Sequence, residues 1–146
     1  MDYFRTVEER VAALPGVVSV GFVRQLPLAS GFGTYSIQIE GLEVDSIGES
    51  PHTYLQLITP GYFDVLGLRA ERGRLHDARD TSGSTPAITV NEAFVRHLLD
   101  GGPVIGRRIK RWGADQPWAE IVGVVPDIRQ RDLEREPYPT VYTTLA

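Results

Sequence analysis

The chain has 146 residues, of which 42% are hydrophobic and 23% charged, and its formal net charge is −4. This composition is typical of one globular domain and excludes a disordered chain. An acidic balance without a dominant basic face argues against a nucleic-acid binder. The sequence has no cysteine, which excludes disulfides, thiolate nucleophiles and cysteine-ligated metal centres.

The first 59 residues predict a helix followed by three strands. Apolar residues recur at helical spacing between Phe4 and Leu14, and Pro15–Gly16 ends the helix. The following strands are predicted from β-branched content and alternation at Val17–Arg24, Tyr35–Ile39 and His52–Thr59. Their links are too short for helical crossovers, so antiparallel pairing is expected in part of the sheet.

The second part of the chain predicts shorter elements. Proline at the start and glycine at the end favour a short helix over Pro60–Gly67. Asn91 is expected to cap another helix that follows a short apolar strand. Two more strands are predicted, an exposed one at Ile105–Trp112 and a strongly apolar one at Pro117–Ile128. The whole pattern is α+β, with mixed short strands and about three helices.

No arrangement of side chains predicts catalysis. The three histidines are far apart and lack the i, i+4 spacing of a zinc helix. His76 with Asp77 and Asp80 is the best local cluster for a divalent cation, but the arginines around it favour a solvated loop. The nucleophile elbow, the dinucleotide fingerprint and the Walker lysine are all missing. The sequence therefore predicts no catalytic residue, no cofactor and no metal.

Charged runs are interpreted as solvated faces. The acids and arginines between Asp127 and Glu136 are typical of an ion-paired surface rather than of paired catalytic carboxylates. The basic run from Arg107 to Trp112 is predicted to guard an exposed strand edge. A nucleic-acid site would need more such runs and stacking aromatics, so no nucleic acid is expected as a partner.

A loop over Gln25–Gly33 is the most suggestive binding feature. Leu26, Leu28 and Phe32 are apolar residues within a stretch rich in glycine, serine and proline, which is expected at the surface. Grouped exposed apolar side chains often mark contact with a partner or an apolar ligand. These three residues are therefore the candidate partner contacts, and the alternative that they fold back onto the core stays open.

Four segments, in order, resemble the periplasmic core domain of MacB-type and FtsX-type ABC transporter permeases. They are LPGVVSVGFVRQLPL (Leu14–Leu28), ITPGYFDVLGLRAERGRLHDARD (Ile58–Asp80), the stretch from Ala87 to Lys110, and WAEIVGVVPDIRQRDLEREPYPTVY (Trp118–Tyr142). Together they cover nearly the whole chain, and the pattern is similar to that of the large permeases common in acidobacteria.

The resemblance implies a fold and a setting. The fold would be a porter-like mixed β-sheet with helices, over residues 1–59 and 118–146, plus an inserted small α/β subdomain over residues 60–117. The domain would lie outside the inner membrane, between two transmembrane helices of a permease. Its partners would be its own transmembrane helices, a separate cytoplasmic ATP-binding cassette protein, and a periplasmic adaptor or a second permease copy.

The implied function is non-enzymatic. The domain would couple membrane helices and ATPase to substrate export or to a periplasmic partner, and the family offers no catalytic residue to carry over. Two alternatives remain from the residues themselves. One is a stand-alone module that binds a small ligand, and the other is a hydrolase that uses His76 and nearby acids. No signal peptide follows Met1 and no stretch reaches the roughly 20 apolar residues of a span, so a segment outside this sequence would have to direct an extracytoplasmic domain to its place.

Overall fold

The computed structural model describes residues 2–26, 33–81, 85–99, 102–128 and 136–144. In these residues the helices are α1 (Asp2–Ala12), α2 (Tyr62–Val65) and α3 (Glu92–Leu98). The strands are β1 (Thr34–Ile39), β2 (His52–Ile58), β3 (Arg72–Gly73), β4 (Ala87–Asn91), β5 (Arg108–Arg111), β6 (Ala119–Val125) and β7 (Thr140–Thr144). Short 3-10 turns lie at Ile47–Glu49 and Ala78–Thr81. A mixed sheet with few helices confirms the predicted α+β class.

The strands form one sheet that closes on itself. Their order is β3-β6-β4-β7-β2-β1-β5, and β5 also pairs with β6. The pairs β2–β7 and β4–β6 are parallel, and the others are antiparallel. Because β5 joins β1 on one side and the start of β6 on the other, six strands make a ring. The two-residue strand β3 pairs with β6 beyond β5, at Gly123 and Val124.

Two apolar clusters lie on opposite faces of this sheet. The larger one draws buried side chains from five of the six ring strands and from Phe94 of α3, and the partly buried Leu55 of β2 packs against it, so it fills the ring. The smaller one packs α2 against the outer face and consists of Ile58, Tyr62, Phe63, Val125 and Tyr142. Strand alternation separates the two, since Val141 belongs to the inner cluster and its neighbour Tyr142 to the outer one.

The predicted strand at Val17–Arg24 is wrong. This segment runs beside the end of β2 and makes only a bridge between Val23 and Ile58, with a hydrogen bond from the Thr59 amide to the Phe22 carbonyl. Its backbone presses against the start of α2, where a Cβ at Gly61 would lie 2.0 Å from the Val20 carbonyl oxygen. The β-branched residues therefore lie where two backbone segments cross closely, and they do not form a strand of the sheet.

The prediction that β5 is an exposed edge is also wrong. The strand pairs on both sides, and Ile109 is buried in the inner cluster while its charged neighbours stay accessible. A sequence with one apolar position in four gives a weak alternation signal, which explains the error.

Strands from both halves of the predicted domain division share the sheet. From the segment 60–117, β4 lies between β6 and β7, and β5 lies between β1 and β6. The division into a porter-like part and an insert stays a prediction, and any such insert is joined to the rest through continuous strand pairing.

Candidate functional site

Leu26 is a well-exposed apolar residue at the start of the predicted contact loop. Its side chain is 67% exposed. The chain just before it is held against β2, where the Arg24 amide donates to the Leu57 carbonyl at 2.8 Å and the Gln56 Nε2 donates to the Gln25 carbonyl at 2.9 Å. Leu28 and Phe32 lie outside the described residues, so the three-residue contact stays a prediction.

The N-terminal segment exposes further apolar side chains that the sequence does not predict as partner contacts. Val18 is 99% exposed, and Leu14 and Tyr3 are also exposed. Phe22 of this segment contacts Phe4 of α1 edge to face, with ring centroids 5.5 Å apart. The Thr59 hydroxyl, just after β2, accepts from the Phe22 amide and donates to Glu8 of α1. The sequence predicts Val18 within a strand. Because that strand does not form, the Val18 side chain is exposed.

His76 is a buried structural residue rather than part of a solvated loop. It is 4% exposed, with Nε2 at 3.0 Å from the Ala87 carbonyl and Nδ1 at 3.2 Å from the Thr89 hydroxyl. A carbonyl only accepts, so Nε2 carries the proton and Nδ1 accepts from the hydroxyl. Burial lowers the pKa of His76 below its ordinary value of 6.5. Both ring nitrogens are occupied, which leaves neither to act on a substrate.

The acidic residues near His76 form ion pairs with arginines. Arg74 holds Asp80 through two hydrogen bonds of 2.8 and 2.9 Å, and this pairing lowers the pKa of Asp80. Asp77 bonds the Arg79 side chain and backbone amide, which likewise lowers its pKa. Within the described ranges, no group of three or more histidine or acidic residues is arranged to hold a metal ion.

Asp127 is the one acid of the C-terminal run whose contacts the structure describes in detail. Its carboxylate accepts from the Ala93 amide at 2.8 Å and from Arg96 at 3.0 Å, at the first turn of α3. This arrangement agrees with an ion-paired surface. The residues from 129 to 135, including Asp132 and Glu134, lie outside the described residues.

An apolar cavity of about 180 Å³ opens at one end of the ring. Its lining comes from all six ring strands, and its deep residues Ile37, Ile88, Ile109 and Val141 are buried. The residues at the starts of β4 and β6 surround it, whereas α3 follows the other end of β4 and sends Phe94 into the same core. The sequence could not show this cavity, because it exists only through the closure of the ring.

Cations lie on aromatic rings beside this opening. The guanidinium of Arg111 is 5.0 Å from the centre of the Tyr35 ring, and the ammonium of Lys110 is 5.0 Å from the Trp118 ring. Such spacing is favourable for a cation–π interaction. Arg108, in the same strand, lies 5.6 Å from the centre of the Trp118 ring and pairs with Glu40. The basic run that was read as a guarded edge thus supplies cations to the rim of a cavity.

In the part of the chain that the structure describes, no helix combines the length and the apolar character needed to cross a membrane. No family model and no curated protein matches the sequence.

Solved structures match the chain over nearly its whole length, and the following three are among them. The periplasmic region of MacB from Actinobacillus actinomycetemcomitans has a TM-score of 0.64 at 16% identity and covers 96% of this chain. The extracellular domain of the noncanonic ABC-type transporter YknZ from Gram-positive bacteria has a TM-score of 0.60 at 19% identity and covers 95%. A domain of a protein described as a permease, from Porphyromonas gingivalis, has a TM-score of 0.61 at 19% identity and covers 94%.

The chain spans 54%, 60% and 54% of those three structures, so each of them contains more than this chain does. At such identities the likeness shows the fold. The predicted resemblance is confirmed at that level, and the chain has the fold of a MacB-like periplasmic domain.

Proposed function

We propose that this chain is the non-enzymatic extracytoplasmic domain of an ABC transporter permease. In this role it couples the membrane helices and a separate ATPase to substrate export or to a periplasmic partner. The observation that carries the proposal is the shared fold with three extracytoplasmic or permease domains over 94–96% of the chain. A fold hosts several functions, so the sites must support it as well.

The side chains support a non-catalytic role. His76, the best sequence candidate for a catalytic base, has both ring nitrogens bonded inside the protein. Asp77 and Asp80 are paired with arginines. A hydrolase needs a base that reaches the substrate, and His76 lies too deep for that. The hydrolase alternative therefore has no observation in its favour.

The exposed apolar residues suit a domain that transmits force by contact. Leu26 and Val18 project from the segment that leads away from α1 and runs beside β2. We place the partner contact at Leu26, Leu28 and Phe32, with a periplasmic adaptor or a second permease copy as the partner. The setting would be the outer side of the inner membrane.

The coding DNA on both sides of this segment gives the first test. The proposal expects one span of about 20 apolar residues before Met1 and several spans after Ala146, with a gene for an ATP-binding cassette protein nearby. Stop and start signals that bound a gene of this size would contradict the permease function.

A transport assay in the full-length permease tests the contact. We expect the triple change Leu26→Ser, Leu28→Ser and Phe32→Ser to reduce export severalfold at unchanged expression, since apolar contact area would be lost. Ile47→Ser is the matched control, because Ile47 is also an exposed apolar residue, in a 3-10 turn outside the loop. Equal export by the triple variant and the control would contradict the assigned contact.

A second candidate function is a module that binds a small ligand. The apolar cavity in the ring favours it, because ligand sites are concave and largely apolar with a few polar groups at fixed positions. The two functions are compatible, since a permease domain can carry a ligand site.

A further inference from the structure

We propose that the open end of the six-stranded ring binds a small amphiphile with an apolar group of about six carbons and an anionic head. An apolar cavity of about 150 Å³ accepts benzene, and the cavity here measures about 180 Å³. The inference goes beyond the proposed function, because it rests on the ring alone and holds whether or not the chain belongs to a permease.

The interior of the cavity offers apolar surface. Ile37, Ile88, Ile109 and Val141 form its buried wall, and Leu55 is partly exposed to it. The hydroxyl of Thr53, also in the lining, donates its single hydrogen to the Pro139 carbonyl at 2.8 Å, with the Tyr54 carbonyl 3.1 Å away. Its hydrogen-bonding capacity is therefore directed into the backbone. A cavity with such walls is expected to be dry and to favour an apolar occupant.

The rim supplies the positive charge that selects an anionic head. Arg111 lies opposite Ile37 in the β1–β5 pairing, and its guanidinium rests on the Tyr35 ring, which also lines the cavity. Lys110 is a further lining residue. Among the described residues, no carboxylate lies within 4 Å of either cation. The guanidinium donors thus remain available for a carboxylate or a phosphate, which they bind in a fixed fork geometry.

The volume of the cavity and the positive charge at its rim favour a small free amphiphile as the ligand. A long acyl chain of a membrane lipid needs far more volume than the cavity provides, whereas a six-carbon alkyl group matches it. A cationic amphiphile would meet Arg111 and Lys110 and be repelled.

Titration with sodium heptanoate, followed by the methyl resonances of the 146-residue chain, tests the site. Heptanoate carries a six-carbon tail on a carboxylate. We expect a dissociation constant on the order of 1 mM or tighter, with shifts at Ile37, Ile88 and Ile109. The methyl groups of Ile58, in the outer cluster, should not shift and provide an internal reference. Hexylammonium, with the same tail and the opposite charge, should bind at least about tenfold more weakly.

Substitutions test separately how the apolar tail and the anionic head of the ligand contribute to binding. Ala119→Leu adds bulk to the cavity wall and should abolish binding, and Thr143→Leu serves the same purpose should Ala119→Leu fail to fold. Arg111→Gln should weaken heptanoate about tenfold, since a hydrogen bond to a charged group would be lost. The matched control is Arg108→Gln, which removes one charge from the same strand outside the cavity lining and should leave affinity unchanged.

Several outcomes overturn the proposal. They are no binding of heptanoate at 20 mM (about 20 times the expected constant), equal binding of hexylammonium, or unchanged affinity in a folded Ala119→Leu or Thr143→Leu chain. Vesicles of phosphatidylglycerol test the lipid source separately. Binding to them with shifts at the ring methyls, while heptanoate gives none, would replace the small amphiphile with a membrane lipid.

Discussion

Tyr62 is a buried residue whose hydroxyl makes no hydrogen bond to the described residues. The residue is 4% exposed, and its oxygen has no hydrogen-bond partner in the described part of the chain. Burial raises the pKa of Tyr62 to about 12. The ring itself packs near Phe63 and Tyr142, with centroids 5.5 and 6.3 Å away.

We therefore expect Tyr62→Phe to stabilise the protein by about 1 kcal/mol, because an unsatisfied buried hydroxyl carries a desolvation cost. Urea denaturation, with the free energy of unfolding extrapolated to water, measures the change. Phe63→Leu, in the same cluster, should instead destabilise the protein because it removes ring contacts. A loss of about 1 kcal/mol or more in Tyr62→Phe would mean that the hydroxyl has a partner.

His76 makes stability depend on pH near neutrality. Burial is the main cause of its lowered pKa in the folded state. The nearby charges have smaller effects, since Asp80 and Asp77 raise the pKa and Arg74 lowers it. Between the folded pKa and the unfolded value of about 6.5, the unfolded chain binds more protons. Stability from this residue is thus fully present above about pH 6.5 and is lost as the pH falls below it.

The measurement compares urea midpoints at pH 7.5 and pH 5.5 in the wild type and in His76→Gln. The wild type should lose up to about 1.4 kcal/mol per pH unit more than the variant, which is the linkage limit for one proton. The aspartates titrate well below this window, since the pKa values of Asp77 and Asp80 are both lowered. Identical pH dependence in the two proteins would show that His76 does not titrate as described.

At the scale of elements, Asn91 joins a helix to a strand. Its Oδ1 accepts from the Phe94 amide, as the N-cap of α3, and from the Thr140 amide at the start of β7, both at 3.0 Å. Its Nδ2 donates to the Tyr138 carbonyl at 2.9 Å. The sequence predicted the cap, but the two bonds to the C-terminal segment appear only in the folded chain.

Asn91→Ala should cost about 2–4 kcal/mol, more than the roughly 0.5–2 kcal/mol of an ordinary N-cap, because buried backbone groups near β7 also lose their partner. Chemical denaturation measures it. Ser46→Ala is the matched control, since Ser46 occupies an N-cap position without a side-chain cap bond and should change stability by less than about 0.5 kcal/mol. Equal costs for the two variants would contradict the joint role of Asn91.

The elements that the sequence predicted well are those with a strong local signal. The helix before Pro15, the alternating strand β1, the apolar strand β6 and the cap at Asn91 all occur where periodicity and capping placed them. The sequence does not predict β7 as a strand, and the two predictions that failed are the segment Val17–Arg24 and the role of β5. Both depend on contacts made by distant parts of the chain, at Gly61 and at the β5–β6 pairing.

At the scale of the whole molecule, the closed sheet predicts cooperative unfolding. Every strand of the segment 60–117 pairs only with strands of the rest, so this segment loses all its strand pairing when the rest unfolds, and the ring opens when this segment unfolds. We expect one two-state transition, with tryptophan fluorescence and far-UV circular dichroism giving the same urea midpoint. Trp112 and Trp118 report on the ring near β5 and β6, and circular dichroism reports on the whole fold. Two separate midpoints would favour independent subdomains.

The candidate sites were predictable only in part. Leu26 is exposed as expected for a surface loop, because glycine, serine and proline there disfavour a regular element. His76 could not be predicted as buried, since its burial depends on Ala87 and Thr89, which follow it by 11 and 13 residues on another strand. The cavity had no sequence signal at all, because its wall is assembled from six strands spread over more than 100 residues.

The sequence by itself determined the α+β class, the helix ends and most strands, because periodicity, caps and turn residues act over a few neighbours. Its resemblance to MacB-type domains was also readable, and the fold bears it out. Only the tertiary structure decided that β5 closes the ring, that His76 is buried, and that Arg111 stands at the rim of an apolar cavity. These features depend on pairing between distant segments, and local patterns carry no information about which strands meet.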